Sequence, residues 1–125
     1  MSQFNNHLLK EMIGVSFDSV TKTDDARMCF EKEGAGGYCL THHQDCCEDV
    51  YIEDICGNLE DLVGSPILRA EERTQEAKEP PVGEYADDSM TWTFYEFSTI
   101  KGSVTIRFFG SSNGYYSEEA DVAKF

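Results

Sequence analysis

The chain has 125 residues, with 10 Lys and Arg against 24 Asp and Glu, and a formal net charge of −14. That length makes one domain, 1–125, and an apolar fraction of 40% with 12% aromatic residues belongs to a folded core. The charge excludes general binding to nucleic-acid backbones, and no apolar run approaches the roughly 18–20 residues of a membrane span.

Met1 to Val15 has no basic start leading into an apolar stretch, so no secretion signal is expected and the protein reads as soluble and cytoplasmic. The five cysteines agree. An odd number outside a secreted context points to reduced thiols. Adjacent Cys46 and Cys47 are expected not to bond each other, because the small ring they would close is strained. Cys29 and Cys39 lie in apolar runs and read as small buried hydrophobes.

In chain order, Asn5 to Ile13 reads as a short helix ended by Gly14. Val15 to Val20 alternates with period two, as a half-buried strand does. Thr23 to Asp25 is a turn, Arg27 to Lys32 a strand, and Gly34 to Gly37 a hairpin connection suited to positive φ. Tyr38 to His42 returns as a strand, and Val50 to Ile55 is another. Asn58 to Val63 reads as one helical turn capped by Asn58 and stopped at Gly64–Pro66. Ile67 to Arg73 is a further strand, and Glu76 to Ser89, with Pro80, Pro81 and Gly83, is an exposed loop.

The clearest element is a hairpin from Met90 to Gly110, dense in aromatic and β-branched residues. Lys101-Gly102 suits its turn. Pairing Ile100 with Ser103 stacks Tyr95 on Phe108 and Phe97 on Ile106 on one face, and Phe94 on Phe109 and Glu96 on Arg107 on the other. Both faces carry large apolar groups, so the hairpin should be central in its sheet. Glu118, Glu119 and Asp121 read as a solvated face, within a short tail from 118 to 125. The expected class is α+β, mostly β: a mixed or antiparallel sheet with this C-terminal hairpin and one or two short helices.

The chemically dense segment is His42-His-Gln-Asp-Cys-Cys-Glu48. Four readings compete. His42, His43, Cys46 and Cys47 have spacings of three and four that suit a metal, zinc above all, although a second ligand pair is missing. A Cys beside a His could be a nucleophile and base in a small enzyme. However, Glu33 to Leu68 holds eight acids and no Lys or Arg, a field that disfavours a thiolate. In the third reading His42, His43, Gln44 and Asp45 bind a small polar ligand. In the fourth the stretch holds a turn together by hydrogen bonds. Neighbouring residues on a strand face opposite ways, so the two histidines should do different jobs.

Asn113-Gly114 is a second turn signal, with Tyr115 and Tyr116 beside it. The tyrosines either close the core or, with Trp92 and Arg107, make a stacking platform for an anionic or aromatic ligand.

Thr41-His-His-Gln-Asp-Cys-Cys-Glu48, Asn58-Leu-Glu-Asp-Leu62, Thr91-Trp-Thr-Phe-Tyr95, Gly102-Ser-Val-Thr-Ile106 and Ser112-Asn-Gly-Tyr-Tyr-Ser117 together resemble a family of small uncharacterised bacteriophage proteins. The resemblance runs from about Ile13 to Ser117 and leaves out the Glu76–Ser89 loop. It departs at Phe108-Phe-Gly-Ser111, where a Trp and a Glu are expected. It implies a viral protein in host bacterial cytoplasm and no role for any residue. Small accessory phage proteins commonly act by binding. The expectation is therefore a counter-defence protein that sequesters a small host molecule such as a nucleotide immune signal, with no resident cofactor, and the ligand site between protomers if the chain is a homo-oligomer. The alternatives are an acidic mimic that blocks a nucleic-acid-binding host defence protein, and a metal- or Cys/His-dependent enzyme.

Overall fold

The computed structural model describes residues 3–44, 46–84, 87–114 and 117–125. Among the described residues there are one helix, α1 (Gln3–Met12), and eight strands: β1 (Ser19–Asp24), β2 (Arg27–Lys32), β3 (Gly36–Thr41), β4 (Asp49–Cys56), β5 (Arg69–Glu76), β6 (Ser89–Thr99), β7 (Gly102–Ser112) and β8 (Asp121–Lys124). A 3-10 turn over Leu59–Leu62 is capped by the Asn58 side chain, which accepts from the Glu60 N–H. The strands make two four-stranded antiparallel sheets, β1-β2-β3-β8 and β4-β7-β6-β5.

The sheets face each other across one apolar core. Val20, Met28, Phe30, Leu40 and Val122 come from the first sheet, and Val50, Ile52, Phe97, Val104, Ile106 and Phe108 from the second. Phe30 meets Phe97 across the gap, with ring centroids 4.7 Å apart. The apolar stripe Leu8, Leu9 and Met12 seats α1 in the same core, against the edge strands β8 and β5.

The hairpin is central, as its two apolar faces predict, but its register is shifted by two residues. Thr99 pairs with Gly102, Phe97 with Val104, Tyr95 with Ile106 and Trp92 with Phe109, leaving Ile100-Lys101 as the loop. The reason lies outside the hairpin. The Thr99 hydroxyl donates to Asp61 O and accepts from the Lys101 N–H, and Lys101 Nζ donates to Glu60 O and Val63 O. The 3-10 turn therefore grips the tip. A shift of two keeps every side chain on its expected face, but it dissolves the expected Glu96–Arg107 pair. Glu96 takes Arg69 instead, at 3.0 Å, and Arg107 takes Glu53.

Two other expectations change. Val15–Val20 is not one strand: Ile13 and Phe17 make single bridges to Ile67 and Val63, and continuous pairing starts at Ser19. The stretch from 118 is not a solvated tail. Asp121–Lys124 is strand β8, paired with β3, and Glu118 is buried. Its carboxylate accepts from Ser89 Oγ at 3.0 Å, Thr91 Oγ1 at 2.8 Å and the Ser112 hydroxyl. Three hydroxyl donors replace the lost water, which is what makes a buried carboxylate tolerable without a cation.

Candidate functional site

The His42–Glu48 segment links β3 to β4. The His42 side chain is buried, and its Nδ1 lies 3.0 Å from the Glu119 carbonyl, an acceptor only, so Nδ1 carries the hydrogen and donates. Nε2 lies 3.0 Å from Glu48 Oε2. The other Glu48 oxygen accepts from the Cys46 N–H at 2.9 Å and Gln44 Nε2 at 3.1 Å, and Gln44 Nε2 also reaches Glu48 O at 2.5 Å. Glu48, the last residue of the motif, is the hub. Both nitrogens of His42 and the amide of Gln44 are engaged in holding the loop. His43 points the other way and is exposed. Asp45 lies outside the described residues.

Cys46 and Cys47 are joined as a disulfide, against the expectation of two thiols. The bend fixed by the Glu48 and Gln44 bonds turns both exposed side chains to one side. In this form neither sulfur is a thiolate ligand or nucleophile. Among the described residues no three His, Cys, Asp or Glu side chains converge to hold a metal ion. The geometry of the segment is that of a tied turn.

A different group of side chains comes together on the outer face of the second sheet. The register of β4, β7 and β6 sets Tyr51, Phe109 and Trp92 side by side, with centroids 6.0 Å apart for Tyr51–Phe109 and 4.8 Å for Trp92–Phe109. In the next row the Arg107 guanidinium lies over the Trp92 ring at 4.8 Å and Arg73 over the Phe94 ring at 4.6 Å. Arg107 Nε donates to Glu53 Oε2 at 2.6 Å, which holds the guanidinium in place beside the indole. Trp92, Phe94 and Tyr51 are half-buried, while Arg73 is exposed. Ala77 and Met90 close one end of the platform. Tyr51 Oη donates to Glu84 Oε1 at 2.5 Å, tying down the 77–88 loop, and burial with that carboxylate raises the phenol well above its ordinary range.

Residues 6–122 match a protein family described as a domain of unknown function, DUF7448. The chain belongs to this family. No curated protein and no solved structure matches it.

In this DUF7448 chain the structure brings Trp92 and Arg107 together, as the platform reading expects, and adds Tyr51, Phe94, Phe109 and Arg73. Alternation along β6 and β7 places all but Tyr51 and Arg73 on that face. The bulge between Ile52 and Asp54 that sets the β4 register has no signature in the sequence. Asn113 is exposed beyond the end of β7, six residues past Arg107, and Tyr115 and Tyr116 lie outside the described residues. The His42–Glu48 segment contributes no side chain to this face. No helix of the described residues is long and apolar enough to cross a membrane.

Proposed function

We propose that the protein is a phage accessory protein that acts by binding, sequestering a small planar anion of the nucleotide class on the outer face of its second sheet. The observation that carries this reading is the pairing of two guanidiniums with two aromatic rings on one rigid face, Arg107 over Trp92 and Arg73 over Phe94. A base or other flat ring stacks on the exposed parts of those side chains, and a phosphate takes the arginine donors. The overall charge of −14 opposes any anion, so capture of one requires locally placed guanidiniums, and this face supplies two. A counter-defence role follows if the anion is a nucleotide immune signal of the host cytoplasm.

Trp92 is the only tryptophan, so its fluorescence reports on the platform directly. Titration with a panel of linear and cyclic nucleotides should quench or shift it. The Arg107→Ala variant should weaken binding at least tenfold, about 1.4 kcal/mol. Absence of any fluorescence or calorimetric response across the panel would sink the reading. A second reading, an acidic mimic of nucleic acid, draws on the groove of about 450 Å³ edged by Asp25, Asp49 and Glu84. It requires a host protein as partner, and binding that falls steeply with salt.

A further inference from the structure

Cys29 and Cys39 stand directly opposite each other in the β2–β3 pair. Gly37 gives both its N–H and its C=O to Phe125, at 3.0 and 2.9 Å, so its backbone faces away from β2. Two residues on, the Cys39 backbone faces the same way. Cys29 and Cys39 are therefore a non-hydrogen-bonded cross-strand pair, the kind with Cα atoms about 4.5 Å apart and side chains closest. That separation falls within the span a disulfide bridges, roughly 4.4–6.8 Å.

The pair sits on the outer face of the first sheet. Its sulfurs belong to neither apolar cluster, and the row they share runs from Thr21 to Ala123, both exposed. Both cysteines are buried, and the exposed Arg27 lies against them: its Nη2 donates to Cys39 Sγ at 3.4 Å and it also bonds to Cys29. A guanidinium beside a thiol favours its thiolate. Burial and the neighbouring Cys29 act against that and push the Cys39 thiol up to about 11. The Cys39 thiol thus rests protonated at neutral pH, with the Arg27 side chain against it.

We propose that Cys29 and Cys39 are the site of a reversible oxidative modification, a cross-strand disulfide formed by exchange with a small disulfide such as oxidised glutathione. One cysteine thiolate attacks the small disulfide, whose S–S bond breaks and releases one thiol. The second cysteine then attacks the mixed disulfide and releases the second thiol. The chain loses two protons and two electrons, and the small disulfide takes them up to become two thiols. The bond locks the β2–β3 hairpin, whose return strand leads straight into the His42–Glu48 turn.

The test uses the reduced full chain, incubated with oxidised glutathione, quenched with acid, unfolded, alkylated and cut with trypsin. The expected product is peptide Met28–Lys32 linked to Glu33–Arg69, present also in Cys56→Ala and lost in Cys39→Ala. Further cutting with chymotrypsin after Leu40 separates Cys39 from Cys46 and assigns the bond without any variant. The oxidised wild type should also melt several degrees higher than the reduced form. Recovery of Cys29 fully alkylated, or carrying glutathione without a cross-link, would overturn the proposal, as would a link that survives in Cys39→Ala.

Discussion

His42 supports a buried carboxylate, while His43 meets solvent. The side chains of His42 and Glu48 are 4% and 1% exposed, so removing the ring takes the His42 bond from Glu48 Oε2 in a place water does not reach. His42→Ala should cost about 3 kcal/mol in chemical denaturation, the usual penalty for breaking a buried pair. His43→Ala should stay within about 0.5 kcal/mol. Two equal losses would mean that the segment is not the tied turn described. Glu72 poses the opposite problem. Asn5 Nδ2 donates to its Oε2 at 2.9 Å, but Oε1 is buried with no hydrogen-bond partner among the described residues. Burial raises its pKa above the ordinary carboxylate value, against the opposing bonds from Tyr95 and Asn5. A raised folded pKa means that the folded state holds the proton longer than the unfolded chain does. Glu72 therefore makes stability fall as pH rises from its unfolded pKa, about 4.3, through its folded one. Glu72→Gln should gain about 1 kcal/mol at pH 7, on the scale of an unsatisfied buried group, and nothing below about pH 4. Thermal melts of both proteins across that range would check it.

At the scale of elements, β6 and β7 owe their placement to contacts at both ends. The tip is held by the 3-10 turn through Thr99 and Lys101, and the far end by Glu118 through Ser89, Thr91 and Ser112. Gly110 lets the 118 segment approach: a Cβ there would stand 2.0 Å from the Glu118 backbone carbonyl oxygen. Backbone cannot rotate aside as a side chain does, so Gly110→Ala should cost at least about 3 kcal/mol, the upper range for overpacking. Its loss should also raise hydrogen exchange in the amides of β8, which follows directly after Glu118. An unchanged melting temperature would remove Glu118 as the anchor of that end. Along the hairpin, period-two alternation told which side chains share a face, and that sharing stands. The register did not follow, because Asp61, Glu60 and Val63, which set it, are about 40 residues away in sequence.

For the molecule as a whole, the two sheets and α1 share one apolar core, so unfolding should be a single transition. The charge of −14 acts on that transition through self-repulsion. Raising salt from about 0.01 M to about 0.1 M shortens the screening length from about 30 Å to about 10 Å. The melting temperature should rise over that interval. A fall would mean that attractive pairs, such as Arg69 with Glu71 and Glu96 or Lys124 with Glu11, outweigh the repulsion. On the outer face of the second sheet such attraction is local, because Arg107 pairs with Glu53 and lies 3.9 Å from Asp54.

By itself the sequence determined the fold class and most element positions, including the helix, the Asn58-capped turn and the central hairpin. Those depend on local matters: side-chain periodicity, cap chemistry and glycine at turns. Tertiary structure alone decided the hairpin register, the burial of Glu118 and Glu48, and the role of β8 as a strand, because each is set by groups distant in the chain. It also decided which side chains stand together. The His42–Glu48 string is conspicuous as text, yet His42, Gln44 and Glu48 spend their donors and acceptors on one another, on Cys46 and on Glu119. The Trp92–Arg107 platform is scattered over four strands, and only their lateral pairing assembles it.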